Sequence, residues 1–181
     1  MKTTMNNLKN FSLYCALLDN HSDINKKLIK GLELYIDDSS TRKTHEFYGR
    51  YENIYIDTAR IPELGTVLDA AISYSAQILG CADNELKAGL WFNVMQPGDK
   101  TTLHKHDDDD ELLSAVYYVE VAENSGFLLL EKPPISSQVT PQEGMFVFFP
   151  PDMPHEVTEN LSQHRRVSLG INIGPAHPVD D

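Results

Sequence analysis

From Leu90 onward the chain is a succession of short apolar runs, LWFNVM, LLSAVYYVEV, FLLL, GMFVFF and RRVSLGINI, broken by PGD, ENSG, EKPP and PPDMP. The runs are rich in β-branched and aromatic residues and the breaks in turn formers, so each reads as one strand. A parallel sheet needs a long crossover between neighbouring strands, usually a helix, and no helical pattern separates these runs. The strands must therefore pair antiparallel, and so many of them close into a sandwich or barrel. The fold class expected is mainly β (α+β), a jelly roll.

The N-terminal half reads differently. MKTTMNNLKNFSLYCALLDN carries lysines and a short apolar run broken by Ser12, with no small-residue cleavage pattern after it, and is expected to form a first strand rather than a secretory signal. Ser22 is placed to cap a helix over Asp23 to Tyr35, in which Ile24, Leu28, Leu32 and Tyr35 share one face. Asp37 to Gly49 reads as a polar loop and Tyr51 to Asp57 as a short strand. A second helix should start at Pro62, use Leu64, Leu68, Ile72 and Leu79, and stop at Gly80. The two helices are expected to cover one side of the β structure. A length of 181 residues suits one domain, with 1–87 as support, 88–174 as the β core and 175–181 as a tail.

Fifteen basic against 27 acidic side chains give a formal charge of −12, which opposes binding to nucleic acid or an anionic membrane surface. No run approaches the roughly 20 apolar residues of a membrane span. Cys15 and Cys81 form no CxxC pair, so neither disulfides nor a thiolate metal site is expected, and a reducing cytoplasm fits. An exposed sheet edge would allow a homodimer.

The stretch TTLHKHDDDDE offers chemistry. If TLHKH is extended, His104 and His106 leave one face about 7 Å apart at their Cα atoms, within reach of a single ion. GMFVFFPPDMP runs as a strand from Gly144 and delivers His155 in the turn that follows, as a third donor. The competing reading is a polar turn that happens to contain histidine. Asp107 to Asp110 with Glu111 lacks the glycine and spaced carboxylates of a calcium loop and reads as a solvated turn. Further on, Arg166, Ser168, Gly170 and Asn172 alternate with Val167, Leu169 and Ile171, so Arg166 points with the polar set and Arg165 away from it; the same parity groups Ser114, Val116 and Tyr118.

Taken together, WFNVMQPGDKTTLHKH, LSAVYYVEVAENSGFLLLEKP, GMFVFFPPDMPHEV and RRVSLGINI resemble the 2-oxoglutarate/Fe(II)-dependent oxygenases related to the prolyl hydroxylases, over residues 88 to 174. The resemblance implies a double-stranded β-helix, cupin-like in form, and ferrous iron, 2-oxoglutarate and dioxygen acting on a small molecule or peptide. It implies His104, six residues after the turn glycine Gly98, and His155 as metal ligands, with His106 completing a three-histidine set. Arg166 and Ser168 match the Arg-x-Ser pair that holds the far carboxylate of 2-oxoglutarate, Tyr118 the tyrosine that assists it, and Asn93 a polar cosubstrate contact. A guanidinium suits the task because it is permanently charged and two-pronged.

The pattern departs from the commonest ferrous site, two histidines and a carboxylate, because His106 stands where His-x-Asp would place the acid. Taking His106 and Asp108 as the pair restores the carboxylate and breaks the interval from Gly98. Two other readings remain. Gly98, His104, His106 and Glu111, with Gly144, Pro150, Asp152 and His155, approximate the motifs of cupins, which include three-histidine dioxygenases and isomerases, although the glycine expected six residues beyond Glu111 is absent. A non-enzymatic metal-binding module on the same scaffold is the other. In the oxygenase reading no acid/base dyad is required, since cofactor and cosubstrate carry the redox chemistry.

Overall fold

The computed structural model describes residues 4–8, 11–47, 49–105 and 110–176. The N-terminal half contains β1 (Thr4–Leu8), β2 (Phe11–Leu17), α1 (His21–Tyr35), β3 (Arg42–Phe47), β4 (Arg50–Tyr55) and α2 (Pro62–Leu79). There follow β5 (Leu86–Met95), β6 (Thr101–His104), β7 (Leu113–Glu120), β8 (Leu128–Lys132), β9 (Ile135–Val139), β10 (Met145–Phe149), β11 (His155–Val157) and β12 (Arg166–Pro175). The larger sheet runs β1-β2-β10-β7-β12-β5-β4-β3 and the smaller β6-β11-β8-β9, with every pairing antiparallel. This is the mainly β, double-stranded β-helix architecture expected.

The larger sheet is covered on both faces, and β7 shows how. Leu113, Ala115, Tyr117 and Val119 pack in a cluster with Leu28 and Leu32 of α1 and Leu64 and Val67 of α2. Tyr118, from the opposite face, joins Leu128, Leu130, Phe149 and Met153 between the sheets. Alternation of side chains across a strand thus gives β7 two apolar faces. Fully burying a leucine such as Leu28 or Leu64 contributes roughly 1.5–3 kcal/mol, so the helices are held mainly by this face. One polar tie orients α1: buried Asn25 donates through Nδ2 to the Val119 carbonyl at 2.7 Å and accepts from the Tyr117 hydroxyl at 2.6 Å.

Several local expectations need correction. α1 begins at His21 rather than after Ser22; the residue before it, Asn20, is left-handed, and no side chain caps the helix. The presumed loop from Asp37 to Gly49 contains strand β3, which hides from a period-two reading because it is a polar edge strand interrupted at His45, where φ is 58°. The N-terminal segment is a hairpin, β1 with β2, not one strand, and ISSQV forms β9. His155 opens β11 instead of lying in a turn, because its backbone pairs with both β6 and β8. α2 starts at Pro62 and ends at left-handed Gly80, as its sequence signals indicate. Pro175, placed in the tail, closes β12; the remaining tail residues 177–181 lie outside the described residues.

Candidate active site

Strands β5, β7 and β12 on one sheet and β6 and β11 on the other enclose a cavity whose floor holds Arg166 and whose wall holds His104 and His155. The two histidines are direct cross-strand partners, His155 opposite His104, and their ring centroids lie 4.3 Å apart. Each Nδ1 faces a backbone carbonyl, Thr102 O at 2.8 Å for His104 and Met153 O at 2.9 Å for His155. A carbonyl can only accept, so Nδ1 carries the proton and Nε2 the lone pair, the tautomer a metal requires. His106 and Asp108, the two candidates for completing the ligand set, lie outside the described residues. Among the described residues no cluster of three His, Cys, Asp or Glu side chains could hold a metal. The Gly98 turn fits its role by conformation: φ is 89°, and its N–H bonds to Asn160 O at 2.8 Å.

At the floor, Arg166 is only 1% exposed. One of its terminal nitrogens donates to the carbonyls of Gly126 at 2.9 Å and Ser125 at 3.3 Å, while Nε has no hydrogen-bond partner among the described residues. Burial pushes this guanidinium down from its ordinary range, and the adjacent tyrosine partly opposes that shift. The Tyr118 ring lies 5.2 Å from the guanidinium carbon. Its hydroxyl is buried, finds no hydrogen bond of sound geometry among the described residues, and is pushed up to about 12 chiefly by desolvation, so it stays protonated and able to donate. Neighbouring Arg165 points the other way and forms surface ion pairs with Glu120 at 2.7 Å and Glu33 at 2.6 Å.

A buried cation satisfied only by neutral carbonyls is costly, and a buried donor left over adds to the cost. Both are relieved by a carboxylate arriving at the floor. The donor set thus fits the far carboxylate of a keto acid, and the imidazole pair fits a divalent transition metal.

Ser168 sits beside Arg166 on the cavity face, opposite Asn93 on β5 and Tyr118 on β7. Asn93 is turned by a bond from Nδ2 to the Glu52 carbonyl at 3.0 Å and lines both the inner cavity and an outer cleft of about 590 Å³. Asn93, His104, His155, Arg166 and Ser168 thus line one cavity, and Tyr118 lies against the guanidinium without lining it.

Sequence reasoning passed over the cradle. ENSG, read only as a turn, supplies the carbonyls that hold Arg166. A Cβ on Gly126 would collide with the Thr158 carbonyl oxygen and approach the Arg166 guanidinium to 3.4 Å, so glycine is needed there. Gly170 leaves room for the Trp91 ring, which would meet a Cβ at 2.5 Å. The supposed loop lines the mouth through His45, Glu46 and Phe47, and Glu111 and Asn172 line it from the other side. The parity of β12 identified the cavity face and was the one available signal for Asn172.

The sequence profile of the 2OG-Fe(II) oxygenase superfamily matches residues 90–174. No curated protein matches the chain in sequence. Among solved structures, a Pseudomonas putida prolyl-4-hydroxylase superposes with a TM-score of 0.71 at 21% identity, covering 91% of this chain and 93% of that one. The non-heme alpha-ketoglutarate-dependent carbocyclase SnoK of nogalamycin biosynthesis gives 0.68 at 13% identity, over 90% and 79%. A Trichoplax adhaerens prolyl hydroxylase, solved with a hypoxia inducible factor peptide fragment, gives 0.63 at 14% identity, over 88% and 83%. These likenesses fix the fold, and the stretch that builds the cavity, residues 90–174, is the one that matches the 2OG-Fe(II) oxygenase superfamily profile.

Proposed function

We propose that this Fe(II)- and 2-oxoglutarate-dependent oxygenase hydroxylates a small molecule or peptide in the cavity between its sheets, with His104, His106 and His155 holding the metal. The observation that carries the reading is the Arg166 guanidinium, buried in the cavity that the imidazole pair also lines and hydrogen-bonded, among the described residues, to backbone carbonyls alone. When bound, Fe(II) and 2-oxoglutarate supply the oxidising chemistry, in which dioxygen converts the keto acid to succinate and carbon dioxide as a substrate C–H bond is hydroxylated.

The protein's own residues bind, orient and shield. Arg166 takes the distal carboxylate of 2-oxoglutarate, and Ser168 and the Tyr118 hydroxyl add neutral donors beside it. The Thr102 and Met153 carbonyls keep both imidazoles in the metal-binding tautomer. Asn93, fixed by the Glu52 carbonyl, presents its amide oxygen where the inner cavity opens to the outer cleft. Trp91, packed over Gly170, narrows that opening and limits water.

The His104–His155 pairing supports His104 as a ligand over the His106 and Asp108 alternative, which leaves His104 no role in the site. Calorimetry of 2-oxoglutarate with the iron-loaded protein under anaerobic conditions tests the function. Metal-dependent binding with succinate released on admitting air is the expected result. No binding of the keto acid would return the cavity to the cupin readings.

A further inference from the structure

We propose that the outer cleft recognises a cationic group on the substrate, an ammonium or guanidinium, between the Glu111 carboxylate and the Asn172 amide oxygen. This deepens the oxygenase reading and rests on it, since it takes the cleft as the substrate's way in.

The argument is a shortage of donors. Asn172 Nδ2 donates to Glu111 Oε1 at 3.0 Å, which fixes the amide orientation, because the flipped amide would set its oxygen against a carboxylate oxygen. Asn172 Oδ1 and Glu111 Oε2 are then left buried and without a hydrogen-bond partner among the described residues, and both residues line the cleft. On the next strand, facing Asn172, the buried Ser114 hydroxyl is also unpartnered. Buried acceptors without donors are rare in folded proteins, and a ligand rich in N–H groups satisfies them.

The charges nearby do not fill the gap. Glu52 is engaged by Arg50 at 2.9 Å and Asp110 by Lys87 at 3.2 Å, so those acids are already balanced. Lys105 and His45 also line the cleft, and neither bonds Glu111 Oε2. Part of the wall is aromatic: Tyr55 and Trp91 lie with ring centroids 6.2 Å apart. One face of the Tyr55 ring is taken by the Arg42 guanidinium at 3.7 Å, which leaves the Trp91 ring to meet a substrate cation. An anionic substrate would meet the Glu111 carboxylate and the bare Asn172 oxygen. A neutral apolar one would leave them unsatisfied.

Trp91 is the only tryptophan and lines the cleft, so its fluorescence, read on iron-free protein, follows ligands entering there without turnover. The full-length protein is titrated with N-acetylated, C-amidated lysine, arginine, norleucine and glutamate, while calorimetry follows 2-oxoglutarate in parallel. Saturable binding at least tenfold tighter for lysine or arginine than for norleucine or glutamate is expected. Glu111→Gln should abolish that preference while 2-oxoglutarate affinity stays within twofold, and Asn172→Ala should reduce it about threefold. Preference for norleucine or glutamate, no saturable response to either cation, or a preference that survives Glu111→Gln overturns the proposal. Cation preference in a wild-type protein that does not bind 2-oxoglutarate would leave the cation site standing and sink the oxygenase reading instead.

Discussion

Strand β12 carries two sockets of opposite character on one face. At its start, Arg166 lies sealed beneath apolar side chains, permanently cationic and held by backbone carbonyls. Six residues on, Asn172 and Glu111 are half-buried, rich in acceptors and open to the cleft. The effective dielectric is lower at the sealed end, so a charge pair there is stronger and less sensitive to salt. In the proposed reading the sealed end takes a ligand whose charge never changes, the cosubstrate, and the open end selects what is oxidised. The His104 and His155 pair, on the opposite sheet, lines the same cavity as Arg166.

The largest effects should come from the metal site. His104→Ala should lose nearly all bound iron and Asp108→Ala should keep most of it, measured by metal analysis after anaerobic loading. The reverse pattern would give the ligand pair to His106 and Asp108. Next comes the sealed end. Arg166→Met removes the guanidinium and keeps an apolar filling, so 2-oxoglutarate affinity should fall about 100-fold, equivalent to ~2.7 kcal/mol. The same variant should be at least as stable to urea as wild type, since a buried charge with imperfect compensation often costs more than an apolar replacement. Affinity reduced only a few-fold would erase the distinction between the two ends.

How far this contrast was legible in the sequence depends on the range of the signals. The sealed end follows from strand parity: the polar residues of RRVSLGIN at alternate positions separate Arg166 from Arg165 with no tertiary information, because the period of a strand is local. The helices were equally plain, α2 especially, with Pro62 and Gly80 marking its ends. The open end depends on contacts between residues far apart in sequence. Glu111 looks like one more acid in an acidic run until the docking of Leu112 on Ile173, N–H to carbonyl at 2.7 Å, brings it beside Asn172. Strand β3 was hidden for a related reason. Its partner is a single neighbouring strand and its faces are mostly exposed, so hydrophobic alternation never arises. The ENSG turn was visible as a turn, and its function as a carbonyl cradle depends on an arginine 40 residues later.

Tyr118 gives the smallest effect and the finest test of the sealed end. Its hydroxyl is buried without a hydrogen bond of sound geometry, so Tyr118→Phe should leave stability near neutrality unchanged or slightly higher. If the hydroxyl donates to bound 2-oxoglutarate, the same change should weaken that affinity three- to tenfold, about 1 kcal/mol. The pH dependence separates burial from ligand contact. Desolvation raises this group from 10 to about 12, so its contribution to stability is fully present below pH 10 and is lost as pH rises through 12, where the folded state also ionises. Across that window the wild type should lose about 2 kcal/mol through this group, a loss the Phe variant escapes. Urea unfolding at pH 9 and pH 11.5 reads the difference, and identical pH dependence in the two proteins would mean that water reaches the tyrosine and that the deep end of β12 is not sealed.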